Sequence, residues 1–264
     1  MAKSRLCYNE LIPLSYTVLI AYYEKKVPFE AERIELLGSE NADVMVLHKN
    51  DELLEGADKI LENIGESFGN DRIGALISEL EGIIEELTFA ICYGEGKITE
   101  KCRWPLHEAA TRQSYIKYIM KTSENFRLWL ERYDKEDLSE CRILNSTEAV
   151  LDQVENVLSE EKRSGIWING LKFGLTDCRL SAMIACLYQL GLENLWRNGK
   201  RPNLAMYAFQ AFERPSVKKG TQWEDHEKSI AYFDQESEEV KQARYALYGA
   251  VGLAGLYILR KVFK

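Results

Sequence analysis

The chain has 264 residues, room for a sizeable core and two modest domains. Its 42 acidic against 34 basic residues give a formal charge of −8, and no basic stripe exists outside the C-terminus and a short NGKR run, which excludes a nucleic-acid partner. Six cysteines, Cys7, Cys92, Cys102, Cys141, Cys178 and Cys186, show no close paired spacing, and the start MAKSRLCYNE has no apolar signal core, so a reducing compartment without secretion is expected.

Residues 1–70 alternate element types. RLCY is a short apolar strand, LSYTVLIAYYEKK a helix with Val18, Leu19, Tyr22 and Tyr23 on nearby turns, and FEAERIELL alternates as a strand. DVMVLHKNDELL reads as two strands joined at Lys49 to Asp51, and GADKILENIGESF as a helix with Ile60, Leu61 and Ile64 on one face. Strand, helix, three strands and a helix is the order of a small α/β domain.

From residue 71 to 215 strand signals nearly vanish. RIGALISELEGIIEELTFAICY is a long amphipathic helix, SYIKYIMKTSENFRLWLERY another, and STEAVLDQVENVLSEEK a third that starts at a Ser/Thr cap. DCRLSAMIACLYQL is apolar nearly all round and belongs at the centre, or it could line an apolar groove for a hydrophobic ligand. HEAAT lacks the second histidine of a zinc helix, and GEGKIT lacks the earlier glycine and the hydroxyl of a phosphate loop, so no metal centre or nucleotide site is predicted.

Residues 216–244 are polar and acidic and read as a linker, partly helical. Tyr245 to Leu259 then carries no charge, and the basic end 260–264 follows with Arg260, Lys261 and Lys264. Fifteen helical residues span roughly 22 Å, short of the roughly 30 Å bilayer core, although snorkelling basic residues extend the reach. The expectation is a C-terminal transmembrane helix that holds a cytosolic body on a thin membrane. Ala246, Ala250 and Ala254 form a small-residue ridge suited to pairing of two copies.

VLDQVE at Val150 to Glu155, IWINGLKFGLTD at Ile166 to Asp177, and NGKRPNL at Asn198 to Leu204 followed by Tyr207 resemble the ganglioside-induced differentiation-associated protein 1 family. That resemblance implies a glutathione-transferase-like fold: a thioredoxin-like N-terminal α/β domain, an all-α C-terminal domain and a tail anchor in the mitochondrial outer membrane. It also implies partners at the mitochondrial surface, roles in mitochondrial fission and network shape, or redox sensing. Peroxisome or endoplasmic reticulum are further destinations for such an anchor.

A transferase needs a hydroxyl near the end of the first strand or the start of the first helix to stabilise the glutathione thiolate. Tyr8 and Ser15 are the candidates. In transferases a cis-proline follows the residue that clamps the peptide; here Val44 and Met45 occupy those places, and a non-proline cis bond is costly. The Glu/Gln-Ser pair that holds the γ-glutamyl group becomes Gly56-Ala57, with Glu55 one position early. Gly174 replaces the capping Ser/Thr ahead of Asp177, which is assigned a structural role at the helix start. These departures favour recruitment or sensing over turnover. Active conjugation of glutathione to hydrophobic electrophiles, and binding of a hydrophobic ligand, are the alternatives.

Overall fold

A computed structural model describes residues 4–34, 45–49, 52–66, 72–93, 102, 104, 106, 109–122, 140–160 and 165–221. The chain divides into a unit of residues 1–222 and a second of 223–264, and the second lies outside the described residues. Among the described residues no helix is long and apolar enough to cross a membrane; the stretch Tyr245 to Leu259 falls outside them.

Four strands, β1 (Ser4–Tyr8), β2 (Phe29–Arg33), β3 (Val46–Lys49) and β4 (Glu52–Glu55), form one sheet in the order β2-β1-β3-β4. β1 runs parallel to β2, with Leu6 opposite Ala31, and antiparallel to β3, with Leu6 opposite Leu47; β4 returns antiparallel to β3. Leu6 and Leu47 are fully buried, so the central pair of strands carries the apolar load while β2 is an exposed edge.

Helix α1 (Pro13–Glu24) connects β1 to β2 and buries every residue from Ser15 to Tyr22. Such all-round burial follows from its position: α2 (Ala57–Glu62) packs against it, and so do two helices of the C-terminal part. The Tyr22 hydroxyl donates to the Ile60 carbonyl at 3.0 Å and accepts from Asn63 Nδ2 at 3.2 Å, which ties α1 to the end of α2.

The helical part contains α3 (Arg72–Tyr93), α4 (Ala109–Thr122), α5 (Glu140–Ser159), α6 (Leu175–Gln189), α7 (Asn194–Arg197), α8 (Pro202–Phe212) and α9 (Pro215–Gly220). α6 is buried from Asp177 to Leu187 and packs against α1, α3 and α8, as its near-continuous apolar sequence predicts. Prolines open α1, α8 and α9, where the missing N–H has no helical partner to lose.

Four boundaries differ from the sequence reading. α2 stops at Glu62, where a turn brings Gly65 to φ +74°. α4 begins at Ala109 rather than Ser114, and the rest of the expected helix to Tyr133 lies outside the described residues. α5 begins at Glu140, so Ser146 and Thr147 are interior; the Thr147 hydroxyl donates back to the Ile143 carbonyl at 2.8 Å instead of capping. The helical part also continues beyond residue 215, because α9 packs on α1: a Cβ added at Gly220 would lie 2.6 Å from Ile20 Cγ1 and 2.8 Å from Ile20 N.

Candidate functional site at the end of strand β1

The segment between β1 and α1 is held by one asparagine. Asn9 Oδ1 accepts from the Leu11 N–H at 2.9 Å, and Asn9 Nδ2 donates to the Ile34 carbonyl at 2.7 Å, while Ile34 N–H donates to the Tyr8 carbonyl at 2.9 Å. The Asn9 N–H reaches Ser15 Oγ at 3.4 Å. This Asx-type turn fixes where β1 ends and α1 starts.

Tyr8 and Ser15 therefore sit on the same turn but in different states. Ser15 is fully enclosed, and its hydroxyl oxygen accepts from the Asn9 N–H, which ties it to the turn. Tyr8 is buried, and that burial raises its phenol above the usual value, opposed by the Arg33 guanidinium and aided by Glu10 and Tyr23. The phenol thus stays protonated at neutral pH and keeps an O–H to donate. Beside it Glu10 and Arg33 form an ion pair across the β1 and β2 ends, with Glu10 largely buried and its carboxyl raised by that burial despite the arginine.

Met45 and the Glu55-Gly56-Ala57 turn form the opposing side of the sheet edge. Met45 is buried, and its carbonyl accepts from the Gly56 N–H at 3.1 Å, so the first amide ahead of α2 is consumed by the sheet. Gly56 adopts φ +87°, a left-handed backbone that glycine tolerates and a serine or glutamate would not. Glu55 continues the ladder opposite Val46, Ala57 is buried, and exposed Asp58 lies in the first turn of α2. Val44 lies outside the described residues, and no cis peptide occurs among those described. Two carboxylates, Glu55 and Asp58, thus flank the α2 start, where a γ-glutamyl carboxylate would need donors; like charge opposes it.

From the helical side, Trp104 Nε1 donates to the Tyr16 hydroxyl at 3.4 Å, and Tyr16 is fully desolvated behind Tyr8, its phenol raised by burial. Burial likewise raises the thiols of Cys7, Cys92, Cys178 and Cys186, so none of these four is a thiolate nucleophile at neutral pH. Among the described residues no group of three or more His, Cys, Asp or Glu side chains is arranged to hold a metal ion.

Asp177 occupies a different place. Its Oδ2 accepts from the Gly174 N–H at 2.9 Å, closing the first turn of α6, and its Oδ1 accepts from the Ile168 N–H at 2.9 Å and from the Tyr207 hydroxyl at 3.0 Å. One fully buried carboxylate therefore organises a helix start, a preceding hairpin and α8 together. The other motifs also meet. Asp152 of VLDQVE pairs with Arg201 of NGKRPNL at 2.7 Å, and Glu155 accepts from the Asn203 and Leu204 N–H groups at 3.1 and 2.7 Å at the start of α8.

Sequence reading passed over Asn9 and the Glu10–Arg33 pair. An asparagine between an apolar strand and a proline-led helix was the available signal for the first; the second depends on β1 and β2 lying side by side and leaves no local trace.

No family model and no curated protein sequence matches the chain. Solved structures do match its fold. A glutathione S-transferase III in apo form aligns with a TM-score of 0.53 at 15% identity, over 84% of this chain and 96% of that one. Poplar glutathione transferase F1 gives 0.52 at 16%, over 84% and 98%, and a glutathione S-transferase from Methylobacterium radiotolerans, solved with glutathione sulfonate, gives 0.51 at 18%, over 83% and 95%. The chain has the glutathione S-transferase fold, with a thioredoxin-like α/β part followed by a helical part.

Proposed function

We propose that this glutathione-transferase-like protein acts by recruitment or sensing rather than by turnover. In this proposal Tyr245 to Leu259 holds the body on the mitochondrial outer membrane, facing the cytosol, and the protein contributes to mitochondrial fission and network shape through partners there, as a monomer or as a pair joined at Ala246, Ala250 and Ala254. One observation carries the first half: the positions that would engage glutathione are spent on the fold. Ser15 serves the Asn9 turn, the Gly56 amide serves Met45, and Glu55 with Asp58 places negative charge at the start of α2. The resemblance of VLDQVE, IWINGLKFGLTD and NGKRPNL to the ganglioside-induced differentiation-associated protein 1 family and the charge-free C-terminal stretch support the second half.

Calorimetric titration of the full chain in detergent with glutathione, alongside Tyr8→Phe, tests the site. No heat at millimolar glutathione is the expected result. Saturable binding that Tyr8→Phe removes would overturn the proposal in favour of a transferase in which the protonated Tyr8 phenol donates a hydrogen bond to the glutathione thiolate. For the tail, a chain lacking Tyr245 to Lys264 is expected to move from mitochondria to cytosol, and its retention would refute the anchor. The groove alternative has less to rest on, since α6 spends its apolar faces on α1, α3 and α8.

A further inference from the structure

Ahead of α6 the chain makes a tight hairpin. Trp167 and Gly170 exchange backbone hydrogen bonds, each at 3.0 Å, with Ile168 and Asn169 at the tip and Gly170 at φ +98°. Beneath the hairpin the Trp167 ring packs edge-on to Phe173 at 4.9 Å and Tyr207 at 5.9 Å, and the Arg214 guanidinium lies over Trp167 at 5.1 Å and Phe173 at 4.4 Å. Asp177 holds the Ile168 N–H. A Cβ at Gly165 would meet the Gly170 carbonyl at 2.3 Å, so the two arms are pressed together. The device is rigid.

The next residue pair outward from the Trp167–Gly170 bridge is Ile166 and Leu171, which point away from the buried tryptophan by strand alternation. They are 54% and 80% exposed, and together they make up two of the three large exposed apolar residues among those described. Single exposed leucines are ordinary, but two on a braced hairpin form a presented pair. Charge around them runs against the acidic whole. Lys172 is exposed next in sequence, and α9, which begins beside Arg214, carries Lys218 and Lys219, the latter over the Tyr23 ring at 5.9 Å. Glu24 pairs with Arg214 and Glu213 with Lys218, so of these lysines Lys172 and Lys219 are the exposed ones outside those pairs.

We infer that this hairpin is a membrane-contact site, with Ile166 and Leu171 entering the interface of an anionic lipid surface and the exposed Lys172 and Lys219 meeting its phosphates. A stable protein interface buries about 800 Å² per partner, far more than two side chains offer, whereas at an anionic bilayer each buried apolar side chain and each lysine near the surface adds about 1 kcal/mol or more, enough for a weak, reversible contact. The site belongs to the described body and does not depend on the tail being an anchor.

The test is photocrosslinking of the full chain, carrying a benzophenone amino acid in place of Leu171, on vesicles of phosphatidylcholine with and without phosphatidylserine; a second probe replaces Leu256 in the tail. Lipid adducts at position 171 are expected, falling several-fold on neutral vesicles and with Lys172→Glu. Adducts at 171 only to protein, or none while the Leu256 probe captures lipid, overturn the inference and leave the anchor standing. Adducts at 171 without any at 256 uphold the inference and defeat the anchor, and none at either position defeats both. Leu171→Asp, a surface change, is expected to lower body-to-vesicle adduct yield from a probe in place of Ile166 on the order of tenfold, the scale of losing one buried leucine.

Discussion

The Arg201 side chain is 1% exposed, whereas the Asp152 carboxylate that meets its Nε at 2.7 Å is 61% exposed. A deeply buried cation is thus neutralised from the rim, with the Glu148 carboxylate a second partner at 3.3 Å, and it also donates to the Leu195 and Glu148 backbone carbonyls. Two sequence motifs separated by dozens of residues, VLDQVE and NGKRPNL, are the halves of this single arrangement.

Arg201→Met is expected to cost about 3 kcal/mol, because it strips partners from two backbone carbonyls as well as from the Asp152 and Glu148 carboxylates. Asp152→Asn keeps the carbonyl bonds and loses only a solvent-screened attraction, so about 1 kcal/mol is expected. Urea unfolding of both variants checks the ratio; equal losses would show that the carboxylate, not the carbonyl pair, holds the arginine.

On α3, burial lifts the Glu85 carboxyl to about 7 from an ordinary 4.5, with the Glu81 carboxylate one turn away adding to the effect. Glu81 is itself raised by burial, against the pull of Arg179, and Tyr115 of α4 faces Glu85. The native state therefore binds more protons than the unfolded chain between these values. Stability from this group is fully present below about pH 4.5 and is lost as pH rises through about 7. Glu85→Gln is expected to flatten that slope and to be the more stable protein by up to about 3 kcal/mol on the alkaline side. Denaturant midpoints of both proteins across the window decide it.

Ser15→Ala removes an enclosed acceptor from the Asn9 N–H, so a stability loss of about 1 kcal/mol is expected. Whatever glutathione response the parent gives should be unchanged in this variant. A normal unfolding curve with an altered glutathione titration would instead make Ser15 a ligand group.

Gly220→Ala forces a methyl to within 2.6 Å of Ile20 Cγ1 and 2.8 Å of the Ile20 nitrogen. Backbone cannot yield as a side chain does, so α9 must shift from α1 at a cost of about 2 kcal/mol. A control at Gly82, where an added Cβ meets nothing within 4 Å, should be neutral or slightly stabilising through helix propensity. Thermal melts should show a clear loss for Gly220→Ala and an unchanged or slightly raised midpoint for Gly82→Ala.

Much of the architecture was legible because it rests on periodicity. The 22 residues of α3 and the apolar run of α6 declare themselves, and the strand–helix–strand start follows from RLCY and the run after Pro13. Local signals misled where tertiary contacts prevail. Ser146-Thr147 has the chemistry of a cap, yet α5 passes through it because Thr147 satisfies itself on Ile143. Arg201 reads as part of a surface charge run and is instead interior, since its partners come from another helix. Tyr8 could be named as a candidate from its place at the end of the first strand, but what surrounds it, Arg33 and Glu10, is assembled only when β2 lies beside β1.

The Glu24 carboxylate accepts from Ser216 Oγ at 2.6 Å and also binds Arg214, groups 192 and 190 residues further along the chain. The first helix thus has its outer wall supplied by almost the last described residues. During synthesis the α/β part emerges early yet must wait, with Ile20 and its neighbours uncovered, until α9 has left the ribosome. At roughly 5 to 20 residues per second this leaves an apolar surface open for about ten seconds or more, a period in which a chaperone would hold the chain.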